Sequence, residues 1–189
     1  MGILLGLAPL IVFFMLTRFT TAAVSLWAAA GASTVLIVRE RFRGRSIKIL
    51  EAGTFVLFAL LGLYSWLTRA SWDIPIVRTV VDSGLLLIMM TSLVVRRPFT
   101  LQYAREEVSA SIRQSPTFVR TNYVISAAWA VAMAIVDLAD LGMHFLPALP
   151  TRLELAAIVI ALGGALWFAK WYPQQIKTHR SLSAENGLS

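Results

Sequence analysis

The 189-residue sequence predicts an all-α membrane protein, a compact bundle of about six transmembrane helices with a short interfacial helix between the fourth and fifth. Three observations carry that prediction. Apolar residues make up 58% of the chain and charged ones only 14%, for a mean hydropathy of +0.73, well outside soluble usage. The apolar residues fall in long blocks rather than in alternation or amphipathic stripes. The basic residues gather in two of the links between blocks.

Crossing about 30 Å of hydrocarbon at about 1.5 Å per residue takes about 20 apolar residues. Blocks 20–38, 49–67, 74–95, 122–141 and 153–171 meet that length. A first block, 3–16, is short and carries Pro9, so as a span it must thin the bilayer, borrow Thr17 and Phe19, or lie partly in the interface. It lacks a basic leader and an Ala-x-Ala-like cleavage site, so it reads as part of the mature chain. Residues 1–180 then form one transmembrane domain, and 181–189 a flexible cytoplasmic tail.

Topology follows from the cations. One link holds Arg39, Arg41, Arg43, Arg45 and Lys48, another Arg96, Arg97, Arg105, Arg113 and Arg120, and the C-terminal segment Lys170, Lys177 and Arg180. Only Arg18, Arg69, Arg78 and Arg152 remain for the other side, which places both termini and both basic links in the cytoplasm of a bacterial inner membrane. The net charge of +7 is therefore read as a face held against anionic lipid, with no nucleic-acid partner. Trp66 and Trp72 near the outer loop, and Trp167, Trp171 and Tyr172 at the inner end, fit aromatic belts.

The link "RRPFTLQYAREEV", residues 96–108, reads as a connector. Pro98 stops the preceding span, Thr100 caps a new helix, and Leu101, Ala104, Val108 and Ile112 recur at helical spacing until Ser115-Pro116. This predicts an amphipathic helix along the interface, with Arg105, Glu106, Glu107 and Arg113 toward water or headgroups. Arg96, Arg97, Tyr103, Arg105, Glu106 and Arg113 are the residues through which such a connector would hold a partner.

The chain resembles the intracellular septation protein A family of bacterial inner-membrane proteins. The resemblance rests on "LAPLIVFF" at 7–14, "TFVLFALLGLYSWL" at 54–67, the arginine pair with Pro98, and "RTNYVISAAWAVAMAI" at 120–135. Pro9 with Phe13 and Phe14, Thr54-Phe55-Val56-Leu57, and Asn122 followed by Ala128-Trp129-Ala130 match best, whereas "FTLQYAREEV" departs from the family pattern. The resemblance implies a cell-envelope protein connected with division and elongation, with envelope or division membrane proteins as partners and no established catalytic activity.

Charges within spans need a reason, since each costs at least about 2.5 kcal/mol on insertion scales. Arg78 and Asp82 stand at i and i+4, so they are expected to meet as an internal ion pair that locks their helix to its neighbours. The alternative is an aqueous vestibule in which Asp82 accepts a proton or a cationic ligand, a polar path for a small transporter or channel. Asp137 and Asp140, with His144 just beyond, occupy the outer third of their span near Arg69, Asp73 and Glu154. The bland reading of these residues is solvation in the headgroup zone; the other is an outward-facing funnel. Glu51 beside Lys48 is explained by local pairing and the helix dipole. Asn122 and Trp129 are read as packing residues, and Gly53, Gly62 and Gly163-Gly164 as points of close helix approach.

Catalytic patterns are missing. There are no cysteines, no phosphate-binding glycine loop, no nucleophile elbow and no zinc-protease motif. His144 with two aspartates matches no recognised ligand spacing, so neither a metal nor a cofactor is expected. The expectation is a non-enzymatic membrane protein acting through protein contacts.

Overall fold

Where the sequence is apolar for 20 residues or more, the computed structural model is helical. It describes residues 5–69, 72–145 and 150–186, with side chains to residue 176 apart from that of Thr151. Among the described residues these helices follow one another: α1 (Ala8–Leu16), α2 (Ala22–Phe42), α3 (Ile49–Thr68), α4 (Ile74–Val94), α5 (Phe99–Ala104), α6 (Ala110–Arg113), α7 (Pro116–Phe145) and α8 (Thr151–Asn186). Five of them, α2, α3, α4, α7 and α8, are long and apolar enough to cross a membrane. The chain is thus an all-α integral membrane protein with multiple candidate spans.

The first block differs from the sixth span expected for it. Pro9 sits at the start of α1, where its missing N–H costs nothing, and the helix stops after nine residues. α1 packs along α2, and its Phe13 is fully buried with its ring 5.5 Å from that of Phe58. Gly6 lies against Leu50 and Tyr103, so the segment runs upward beside α3 but ends near Leu16, below the level of Thr68. Its expected start at residue 3 lies outside the described residues, as do the side chains of Lys177 and Arg180.

α1, α2, α3, α4, α7 and α8 pack in that order, each on the next, and the arc does not close because α1 and α8 scarcely touch. Small residues draw the neighbours together. A side chain at Gly53 would collide with Ile88, one at Gly84 with Leu57, and one at Gly62 would press on Trp27. Gly163 and Gly164 face open space, contrary to the expectation of close approach there.

The connector is also different from the single amphipathic helix expected. It breaks into α5 and α6 around a turn at 105–108. Phe99, Thr100, Leu101 and Tyr103 are buried against the bundle instead of facing lipid. Thr100 does not cap a helix: its hydroxyl donates to the Asn122 carbonyl at 2.8 Å and meets the Ser126 hydroxyl at 2.7 Å. α7 consequently starts at Pro116, earlier than the expected 122, because its first turns have α5 to pack on. α8 continues to Asn186, where a flexible tail from 181 was expected.

Both basic links lie at the same end of the bundle. Arg45 reaches Glu106 at 3.2 Å, and the Gln102 side-chain carbonyl accepts the Ile49 backbone N–H at 2.7 Å. The odd number of long helices therefore does not separate the two links, since α2 and α4 descend to the same end.

Candidate functional site

At the opposite end the structure gathers charge inside the bundle. α4 carries Arg78, Asp82 and Ser83; α7 carries Asp137 and Asp140; α8 brings Glu154 in its first turn. Helical periodicity puts Arg78 and Asp82 on one face of α4, and Asp137 and Asp140 on one face of α7. The two faces meet because α4 and α7 pack along their length.

The expected Arg78–Asp82 pair is replaced by contacts across helices. Arg78 Nη2 stands 3.4 Å from Glu154 Oε1 and 3.8 Å from Asp140 Oδ1, with its guanidinium carbon 5.6 Å from the centre of the Phe14 ring. A guanidinium pointing along α4 toward the rim finds two carboxyls from neighbouring helices. Asp82, only 2% exposed, instead faces the Asp140 carboxyl, with Arg78 and Asp137 as further charged neighbours. Asp137 accepts a hydrogen bond from Ser83 Oγ at 2.7 Å.

Asp137 and Asp140 are 9% and 8% exposed, so they do not lie solvated in a headgroup zone. The sequence suggested that zone from their distance to the end of the apolar block. α7 continues to Phe145, which draws both into the packed interior. His144 takes no part in the cluster: it is exposed and stands edge-on to Phe145. Arg69 turns the chain after α3 with a left-handed φ of 50°, and the Asp73 side chain makes no capping hydrogen bond at the start of α4.

Beside the cluster is a cavity of about 950 Å³ lined by α1, α4, α7 and α8. Arg78, Asp82, Glu154 and the exposed Arg18 are its charged lining, while Leu85, Met89, Trp129, Met133, Leu162 and Leu166 form its apolar walls. Four donor or acceptor atoms at or near it are buried without a hydrogen-bond partner among the described residues: Arg78 Nε, Trp129 Nε1 and the two Asp140 carboxylate oxygens. Unmet polar atoms beside an apolar wall are costly. Asp82, Asp137, Asp140 and Glu154 stand against two guanidiniums, Arg78 and the exposed Arg18, so among the described residues the polar end carries an excess of acidic groups.

A second charged network, at the basic end, was not foreseen beyond the Lys48–Glu51 pairing. Lys48, 3% exposed, lies 2.8 Å from Glu40, 3.2 Å from Glu106 and 3.4 Å from Glu51. The Tyr103 hydroxyl donates to Glu51 at 3.5 Å, and the ammonium sits 5.0 Å from the centre of the Tyr103 ring. Burial alone would lower the Lys48 ammonium, but the hydrogen bond to Glu40 and the charges of Glu51 and Glu106 outweigh it and hold the pKa above the ordinary lysine value. Burial, then the nearby Glu51 carboxylate, pushes the Tyr103 phenol well above its usual range. The signal in the sequence was two glutamates, Glu40 and Glu106, inside otherwise arginine-rich links.

Among the described residues, Arg96, Arg97, Arg105 and Arg113 stand outside this network. Arg96 adopts a left-handed φ of 57° as α4 ends; Arg96, Arg97 and Arg105 are exposed, and exposed Arg113 donates to the Val108 carbonyl. Asn122 donates to the Phe118 carbonyl of its own helix, so its amide does not bridge helices. Trp129 is packed in the core as expected, yet its N–H faces no acceptor. Comparison of the chain with protein-family models, curated proteins and solved structures finds no match.

Proposed function

We propose that the chain is a non-enzymatic integral membrane protein that takes up a small ligand or ion in the cavity beside Arg78 and Asp82, as a small transporter or channel does. The observation that carries this reading is the excess of buried carboxyls at the polar end of a cavity large enough for a small molecule. Charges inside a membrane domain mark ligand and proton pathways when they line a cavity, and Asp82, Arg78 and Glu154 all do. The reading includes a bacterial inner membrane with the basic end in the cytoplasm, supported by the cation-rich links lying together.

The test is accessibility. The chain has no native cysteine, so Met133→Cys and Leu85→Cys report on the cavity alone. In native membranes a small membrane-permeant maleimide should modify both, and Phe58→Cys, in the packed core, should stay unmodified. Equal protection of all three would sink the reading.

A second reading follows the resemblance to the septation protein A family: an envelope component that works through contacts with division membrane proteins. The exposed Arg97, Arg105 and Arg113 at one end favour it. Replacing the three by Gln should then abolish recovery of a stoichiometric partner from mild detergent while leaving cavity labelling unchanged.

A further inference from the structure

The cavity has two features that an ion or polar solute alone does not call for. Its walls are almost entirely aliphatic or aromatic, and it reaches the outside of the bundle sideways. Ile11, Met15, Leu155 and Leu166 line it and are each more than 40% exposed at the same time, so they belong to its rim. Ile11 and Met15 come from α1, Leu155 and Leu166 from α8, the two helices that scarcely touch. The rim residues of both helices are apolar, so in a bilayer the gap faces lipid. A ligand that enters here is dissolved in lipid before it binds.

The charge of that ligand follows from the polar end. Arg78 is already held by Glu154 and Asp140, and Arg18, the other cation on the lining, is exposed to solvent. Asp82 lines the cavity at 2% exposure and faces another carboxyl, that of Asp140. A positive charge placed beside Asp82 relieves both acids, whereas an anion would face them at close range in a medium that screens little. An independent observation points to a polar atom farther along the ligand. Trp129 is buried and lines the cavity, and its N–H has no acceptor among the described residues. It stands eight residues before Asp137 on α7, about 12 Å deeper along the helix axis.

We infer that the cavity binds lipophilic monovalent cations, with the charge beside Asp82, an apolar body along α4, α7 and α8, and a hydrogen-bond acceptor reaching Trp129. The inference rests on the cavity being a ligand site and names the class of ligand.

The experiment uses the full chain in nanodiscs of zwitterionic lipid. Tetraphenylphosphonium and tetraphenylborate have the same shape and opposite charge. The phosphonium should bind saturably and the borate should not. Asp82→Asn should weaken phosphonium binding at least about tenfold, the loss expected when one partner of a buried charge contact is removed. Glu154→Gln, nearer the rim, should weaken it too and provides a second variant should Asp82→Asn fail to fold. Rhodamine 6G, a lipophilic cation with ester oxygens, should lose about three- to tenfold on Trp129→Phe, while tetraphenylphosphonium, which has no acceptor, stays within about twofold. Equal binding of borate and phosphonium overturns the assignment of charge. Equal effects of Trp129→Phe on both cations overturn the acceptor. If Met133→Cys is labelled but no lipophilic cation binds, the ligand class is wrong and the cavity stands; if neither occurs, both readings fall.

Discussion

Lys48 Nζ lies 2.8 Å from Glu40 Oε2, and with this contact the end of α2 is tied to the start of α3 in a place almost closed to solvent. Glu51 and Glu106 complete a ring of carboxylates around one ammonium. Removing the cation leaves three acids crowded together. Lys48→Met should therefore lower stability by about 3 kcal/mol or more, the scale for breaking a buried pair by deleting one partner. Thermal melting of the detergent-solubilised protein measures it, and a melting temperature equal to that of the parent would show the network to be idle.

The same network sets an alkaline limit. Lys48 and Tyr103 both hold their protons more tightly in the folded chain than their ordinary values of 10.5 and 10.0. For a raised pKa the stabilisation is fully present below the unfolded value and is lost as pH rises through the folded one. Melting temperature should thus be insensitive to this pair up to about pH 10 and fall above it. Tyr103→Phe should flatten that fall, since one of the two groups no longer titrates. A slope unchanged by Tyr103→Phe would remove the tyrosine from the account.

At the far end, coupling should follow the observed contacts rather than the sequence spacing. Arg78→Gln strands Glu154 and Asp140 without their cation. Protein abundance in the membrane should drop, and adding Glu154→Gln should restore part of it. A double-mutant cycle between Arg78 and Glu154 should give a coupling of about 0.5 to 3 kcal/mol. A zero coupling would mean that the two side chains do not act together.

Glycine substitutions should separate tight from loose helix contacts. Gly84→Val collides with Leu57 and Gly53→Val with Ile88, so each should cost about 1 to 3 kcal/mol by overpacking. Gly163→Ala and Gly164→Ala meet nothing within 4 Å and should be neutral or stabilising by up to about 1 kcal/mol each, because alanine favours helix. Melting temperatures of the four variants check the order.

The helical class and the position of the long spans were legible because burying a backbone in lipid requires unbroken helix, and apolar length alone reports it. The common end of the two basic links was legible too, from cation counts. The partners of the buried charges were not. Sequence spacing shows which residues share a helix face, and it put Arg78 with Asp82; only the packing of α4, α7 and α8 shows that Glu154 and Asp140 offer the guanidinium a better place. The connector was misread for a related reason. Leu101 and Ala104 have the spacing of a lipid-facing stripe, and a stripe that packs on protein has the same spacing. Thr100 resembles a cap until Asn122 and Ser126 are seen to claim its hydroxyl.

α8 leans chiefly on α7 and buries little of its surface in the bundle. Lipid tails are as oily as its own leucines and isoleucines, so no squeezing force seats it. Its upper end is tethered by Glu154 reaching Arg78. The protein thus has something like a garden gate, hung along α7 and latched by one arginine, and whatever loosens that latch widens the doorway to the surrounding oil.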